Sequence, residues 1–184
     1  MPTPFLSGKT VYLRGLREED LAGPWFDWFD DAEVCRFNNH HRFPNTARRM
    51  REFLDAAAGG PHTLVLAVCD AASHAHLGNV SLDRIDLVNR SAEFAVIIGD
   101  RAAWGKGVAT EAGRLLLGHG FKELGLMRIG CGTGEDNIAM QKLAQRLGMR
   151  EEGRRRQALY KDGRFVDVLE FGMLRDEFLA AGQA

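Results

Sequence analysis

The sequence has few cysteines and no long apolar run, and each shortage excludes a class of protein. Its 184 residues include three cysteines, at positions 35, 69 and 131. An odd, scattered set without Cys-x-x-Cys spacing argues against a disulfide framework and against zinc, so we predict no metal site. No apolar run approaches the roughly 20 residues of a membrane-spanning helix. The start, Met1-Pro2-Thr3-Pro4, lacks the basic and apolar regions of a secretory signal, so we expect a cytoplasmic protein without membrane contact.

The sequence also lacks an excess of charge of either sign. Lys and Arg number 24 and Asp and Glu number 25, which gives a net charge of −1. This balance does not favour nucleic acid or an anionic membrane as a partner. Hydrophobic residues make up 45% and charged residues 27%, as in ordinary globular proteins. We find no internal repeat or low-complexity segment, and we predict a single domain over residues 1–184.

The most informative stretch present is a glycine-rich turn between an apolar strand and a long helix. The strand is Phe94–Ile98, and Trp104-Gly105-Lys106-Gly107 leads into the helix. The first turn of a helix leaves backbone N–H groups unpaired, and glycines let a ligand approach the backbone closely, so the turn predicts an anion site. A nucleotide P-loop is excluded because Gly107, and not Ser or Thr, follows Lys106. A dinucleotide fingerprint is excluded because Thr110 stands at its last glycine or alanine position.

Periodicity along the rest of the chain predicts strands and helices in the order β-α-α-β-β-β-α-β-α-β-β. Three apolar strands with short turns, within 63–98, indicate an antiparallel meander. The strand–helix–strand unit that follows, from 91 to 131, predicts a parallel, right-handed pairing. A helix is expected to begin at the acids 18–20, and another to be capped by Asn45 or Thr46 and to end at Gly59-Gly60-Pro61. The order is that of a mixed α/β fold.

Two motifs resemble those of the GNAT N-acetyltransferases. The pyrophosphate loop of that family, [Q/R]-x-x-G-x-[G/A], aligns with 104–109, although Trp104 occupies the Gln or Arg position. Residues 137–149 resemble the family string N-x-x-[A/S]-x-x-L-Y-x-K-x-G-F, with Asn137, Leu143 and Gly148 matching. The string from Trp104 to Ala112 resembles the branch of the ribosomal-protein N-terminal acetyltransferases. The resemblance spans nearly the whole chain and implies the GNAT fold.

The resemblance further implies acetyl-CoA as cofactor and an amine as acceptor. A backbone N–H near Ile97 or Ile98 would polarise the thioester carbonyl, the loop would hold the pyrophosphate, and Asn137 would contact the pantetheine arm or cap its helix. The cofactor-binding residues implied are Ile97, Ile98, Trp104, Gly105, Lys106, Gly107, Val108, Ala109, Thr110 and Asn137. The resemblance leaves a homodimer open.

The family's proton donors are missing from the second motif. The usual Tyr is replaced by Ala144, and the Ser of some relatives by Met140. Tyr160 is a candidate for an acid from another element, or a packing residue. Glu93, a lone carboxylate in an apolar strand, is the candidate general base, or an outward-facing side chain. Cys131 could carry an acyl group, but its strand position favours a packed thiol.

Two functions remain open from these residues. The first is an enzyme that transfers the acetyl group to a primary amine by direct attack in a ternary complex. Its acceptor would be a protein N-terminus, a polyamine, an amino sugar or an aminoglycoside. The second is a non-catalytic module that binds acyl-CoA, which the missing Tyr and Ser keep open.

Overall fold

The computed structural model describes residues 3–58 and 60–182, and its eight strands form one mixed sheet. The strand order in the sheet is β1-β2-β3-β4-β5-β6-β8-β7. The strands are β1 (Leu6–Ser7), β2 (Val11–Gly15), β3 (Leu64–Asp70), β4 (His76–Asp86), β5 (Ser91–Ile98), β6 (Arg128–Gly134), β7 (Arg150–Lys161) and β8 (Arg164–Leu174). The helices are α1 (Trp25–Trp28), α2 (Ala47–Ala58), α3 (Val108–Lys122), α4 (Ile138–Leu147) and α5 (Arg175–Ala180). Single 3-10 turns occupy Glu18–Ala22, His40–Arg42 and Arg101–Ala103.

The parallel pair β5–β6 is short, and this determines where a ligand can enter. Only Ser91, Ala92 and Glu93 of β5 pair with β6, opposite 128–130. Beyond that point β6 continues to pair with β8 up to Gly134, while β5 continues to pair with β4. The two strands therefore diverge from Glu93 onward, and within residues 3–58 and 60–182 the edge of β5 from Phe94 to Ile98 has no strand partner on its β6 side. The predicted meander and parallel crossover are confirmed.

The main core lies between the sheet and the helices α3 and α4. The apolar face of α3, which includes Ala112, Leu116 and Phe121, is buried against strands β2, β4, β5 and β6. Phe94 of β5 lies in this core, which places alternate residues of β5 on the opposite face of the sheet. No helix of residues 3–58 or 60–182 is long and apolar enough to cross a membrane.

The opposite face of the sheet carries α1, α2 and a buried polar network. The Arg14 guanidinium donates two hydrogen bonds to the Asp20 carboxylate, at 2.7 and 2.8 Å. Burial alone would raise the pKa of Asp20, but this pair and a backbone N–H keep that pKa below its usual value. Trp28 packs directly over Gly99, where a Cβ would lie 1.8 Å from the indole. This contact fixes α1 against the end of β5.

Two expectations about element bounds were wrong, while the predicted cap of α2 is confirmed. The helix predicted from the acids 18–20 is a 3-10 turn followed by a four-residue helix, because Gly23 is extended and Pro24 disfavours helical backbone before it. The terminal hairpin strands are longer than the predicted 158–160 and 165–169, since β7 is exposed along its length and carries no apolar alternation. Helix α2 is capped by Thr46, whose hydroxyl accepts from the Arg49 N–H at 3.2 Å. Its predicted end at Gly59 lies outside the described residues.

Candidate active site

A cleft of about 660 Å³ opens where β5 and β6 diverge. One wall is β5 from Phe94 to Ile98. The other wall is the end of β6 with the first turns of α4. The glycine-rich loop before α3 closes one end, and a segment containing Glu33 and Phe37 lines another part of the rim. The cleft is therefore bounded by both motifs that the sequence singled out.

The loop before α3 has the geometry of an anion cradle. Gly105 and Gly107 have φ values of +73° and +85°, which L side chains rarely adopt. No heavy atom of the described residues lies within 4 Å of where a Cβ would stand on either glycine, so the backbone is open. The first bond of α3 runs from the Glu111 N–H to the Gly107 carbonyl, at 3.0 Å. The N–H groups of Val108, Ala109 and Thr110 consequently have no partner within the helix, and they suit a pyrophosphate.

Trp104 has a structural role that the family pattern did not predict. Its indole N–H donates to the Ile98 carbonyl at 2.7 Å, so the side chain ties the loop to the end of β5. Trp104, Ile97 and Ile98 all line the cleft. Lys106 has an exposed side chain and is not among the lining residues. The loop is thus held by Trp104 and presents its backbone, while the Lys106 side chain points elsewhere.

On the opposite wall, Asn137 is placed to serve both roles that were considered for it. Its side-chain oxygen accepts from the Met140 N–H at 3.2 Å and caps α4. Because this oxygen is engaged, the amide NH₂ remains as a donor for the cleft that Asn137 lines. Three further polar side chains line this wall, which the sequence did not indicate: Thr133, Lys142 and Arg146. Lys142 and Arg146 are one helical turn apart in the second motif, so they lie on the same face of α4. That spacing was visible in the sequence and could have indicated that both face the cleft.

Two carboxylates flank β6 where β5 and β6 diverge, on the face opposite α3, and neither is among the residues that line the cleft. Glu93 pairs with Gly130, and Gly132 pairs with Glu170 of β8, so the four positions share one face. A Cβ on Gly132 would lie 3.1 Å from both carboxylate oxygens of Glu170. Gly132 is exposed and lines the cleft, and the glycines leave this stretch without side chains. Glu170 is a candidate that the sequence analysis missed. It is a carboxylate within the largely apolar stretch 165–171, and a carboxylate in an apolar strand is the same signal that led to Glu93.

Each of these carboxylates has an arginine partner on the solvent side. Glu93 is exposed, accepts from Arg84 at 2.8 Å and is not itself among the lining residues of the cleft. Glu170 pairs with Arg155. Both arginines are largely exposed, so each carboxylate can exchange its arginine for a bound cation.

The structure places no proton donor where the family has its Tyr. Ala144 is completely buried in the main core, and Met140 lines the cleft. Cys131 is buried beside Met149, with 3.5 Å between the two sulfur atoms. Burial, and then the negative charges of Glu170 and Glu93, raise the pKa of the Cys131 thiol to about 12. The thiol is therefore protonated at neutral pH and is a poor acyl carrier.

Tyr160 lies on the terminal hairpin and does not line the cleft. Its side chain is half exposed and packs against Phe165, with 5.0 Å between ring centroids. Its neighbour Lys161 donates to the carbonyls of Cys35 and Asn38, at 3.1 and 3.0 Å, and so joins the hairpin to the rim of the cleft. The hairpin thus supports the rim through the Lys161 side chain and not through Tyr160.

We expect Tyr160→Phe to change kcat by less than about threefold, because its ring contact with Phe165 is retained and only an exposed hydroxyl is removed. Steady-state kinetics with acetyl-CoA and any accepted amine measures this. The 10²–10⁴-fold loss typical of a missing general acid would show that Tyr160 replaces the absent donor. Phe165→Leu, which alters the ring contact and keeps the hydroxyl, separates packing from acid catalysis.

Comparisons with known proteins agree with this geometry. The family described as "Acetyltransferase (GNAT) domain" matches residues 10–150. The putative ribosomal N-acetyltransferase YdaF of Bacillus subtilis (strain 168) is 35% identical over 101 residues, 55% of each chain. The spermidine N(1)-acetyltransferase of Escherichia coli (strain K12) is 29% identical over 188 residues, covering 95% of this chain and 91% of that protein. The crystal structure of spermidine N-acetyltransferase from Vibrio cholerae, in complex with CoA and spermine, has a TM-score of 0.83 at 24% identity, covering 92% of this chain and 98% of that one.

The match over residues 10–150 shows that the chain belongs to the GNAT acetyltransferases. The mixed α/β fold expected from the sequence is that of this family, and the likeness to the solved structure confirms it. The protein is accordingly an N-acetyltransferase that uses acetyl-CoA to acetylate an amine. The fit is visible in the structure itself, where the open glycine loop and the cleft beside it suit a pyrophosphate and an extended arm.

Proposed function

We propose that this enzyme acetylates a small amine that carries more than one positive charge, such as a polyamine. The observation that supports this acceptor is the pair of carboxylates, Glu93 and Glu170, on either side of the bare glycine stretch of β6. One cationic group would lie beside Glu93 and a second beside Glu170. The chain spans nearly the full length of a spermidine acetyltransferase relative, which supports the same class of acceptor.

In this proposal the cofactor and the acceptor occupy opposite faces of the gap between β5 and β6. The N–H groups of 107–110 hold the pyrophosphate, Asn137 donates to the arm, and a backbone N–H near Ile97 or Ile98 polarises the carbonyl. Acetyl-CoA supplies an acetyl group activated as a thioester. A primary amine of the Lys type has a pKa near ~10.4 and must lose a proton before it attacks. Glu93, at the last paired position before the strands diverge, accepts that proton directly or through water.

A protein N-terminus is the second candidate acceptor, and one observation favours it. Three exposed apolar side chains, Phe37, Trp104 and Ile138, surround the cleft and could contact the first residues of a peptide. The partial likeness to a putative ribosomal N-acetyltransferase agrees with this alternative. A peptide N-terminus carries a single positive charge, however, and would leave one of the two carboxylates without a cation.

The acceptor classes are distinguished by comparing kcat/KM for spermidine, butylamine and an alanyl peptide. We expect spermidine to be preferred, and Glu170→Gln to raise its KM about fivefold, the upper range for a partly exposed ion pair, while butylamine is unaffected. Glu151→Gln, the same change on the exposed strand β7, is the matched control. A peptide preferred over spermidine by more than tenfold, or an unchanged spermidine KM in Glu170→Gln, would contradict the polyamine proposal.

A further inference from the structure

The carboxylate of Glu111, in the first turn of α3, is bound by the turn that joins β1 to β2. The Lys9 N–H and the Thr10 N–H donate to one carboxylate oxygen, the latter at 3.0 Å, and the Thr10 hydroxyl donates to the other. A Cβ on Gly8 would overlap this carboxylate and would lie 2.8 Å from the Val11 carbonyl oxygen, so the close approach requires a glycine. Burial raises the pKa of Glu111, but the hydrogen bonds from Thr10 and the adjacent backbone bring that pKa below its usual value. The side chain is therefore ionised at neutral pH and is held by donors outside its own helix.

This contact bears on the part of α3 that forms the anion cradle. The Glu111 N–H makes the first bond of α3, to the Gly107 carbonyl at 3.0 Å, so the residue that closes the first turn is also the one tied to the β1–β2 turn. The same turn of the helix packs into the main core through Val108 and Ala112. The N–H groups of 108–110 lie between these two anchors, and their direction follows the orientation of the turn. A displacement of the turn would redirect all of them together.

An acidic side chain in the first turn of a helix is attracted to the unpaired N–H groups there. In the described part of the chain the Glu111 carboxylate instead meets the donors of the β1–β2 turn, and it is not among the residues that line the cleft. The N–H groups of 108–110 are thus left for a ligand. We infer that Glu111 is a positioning residue, which through Thr10 holds the first turn of α3 in the orientation that binds the pyrophosphate of acetyl-CoA. This inference rests on the proposed placement of the pyrophosphate at the loop.

The test measures coenzyme A affinity by calorimetry in Glu111→Gln and Thr10→Val. The first change turns an amide NH₂ towards N–H donors, and the second removes the hydroxyl. Each should weaken binding about fivefold, the usual effect of losing one hydrogen bond. The double variant should lose no more than Glu111→Gln alone, within about twofold, because both changes break one contact. Thr10→Ser retains the hydroxyl and should restore the native affinity.

Thr46→Val is the matched control, since it removes a hydroxyl that caps α2 and accepts from the Arg49 N–H at 3.2 Å. It should lower the thermal unfolding temperature and leave coenzyme A affinity unchanged. An equal loss of affinity in this control would assign the effect to general instability and overturn the inference. So would unchanged affinity in both Glu111→Gln and Thr10→Val while Gly107→Val still weakens binding. Full binding by Gly107→Val would instead locate the failure in the placement of the pyrophosphate, and the role of Glu111 would fall with it.

Discussion

Replacing Gly107 with valine should abolish most acetyl-CoA binding, with a fall in affinity of at least about 100-fold. Gly107 has a φ of +85° immediately before α3, and a β-branched side chain is strongly disfavoured there. Relaxing the backbone would redirect the N–H groups of 107–110, and the new methyl groups would occupy the space above them. Charge-assisted hydrogen bonds contribute about 1.5–3 kcal/mol each, so the loss of even two accounts for this fall.

Gly163→Val is the matched control for this prediction. Gly163 has a φ of +79° in the β7–β8 turn, and in the described part of the chain no atom lies within 4 Å of where its Cβ would stand. The control therefore carries the same backbone strain away from the cleft. Calorimetry with acetyl-CoA, together with thermal unfolding, separates strain from ligand contact. An equal loss of affinity in both variants would attribute the effect to strain and would contradict the pyrophosphate loop.

The sequence predicted the loop because its signal is local. Glycines, a preceding apolar run and a following amphipathic helix lie within about 30 consecutive residues, so the positive φ values of Gly105 and Gly107 could be expected from composition and spacing. The same applies to Asn137, whose capping role follows from its place before an apolar helical pattern. Each of these predictions depended on backbone geometry that neighbouring residues determine.

The acceptor side could not be predicted in the same way, because it depends on long-range register. Glu170 lies beside Gly132 only because β8 is inserted next to β6, and no local pattern specifies that neighbour. Trp104 likewise appeared to be a missing polar contact, and its bond to the Ile98 carbonyl depends on the path of the intervening turn. Pairing between distant strands thus sets the parts of the site that the sequence left open.

Glu93→Gln should lower kcat/KM for the acceptor by about 10²-fold or more at pH 7, while acetyl-CoA affinity is retained. The amide keeps the shape of the side chain and removes its basicity, and the pyrophosphate contacts lie on the other side of the gap. Raising the pH should restore part of the rate, because a larger fraction of the amine is then already deprotonated. The measurement is kcat/KM against pH for the native enzyme and the variant.

The control must separate the loss of a base from the loss of the ion pair between Glu93 and Arg84. Arg84→Gln breaks that pair, which joins atoms 2.8 Å apart, and leaves the carboxylate in place. If Glu93 acts as the base, Arg84→Gln retains most of the rate, since the carboxylate is then free to bind the acceptor. A loss of equal size in both variants would mean that the pair holds β4 and β5 together and acts only structurally. Superimposable pH profiles for Glu93→Gln and the native enzyme would show that Glu93 does not take the proton from the amine. The proton would then pass to Glu170 or to ordered water.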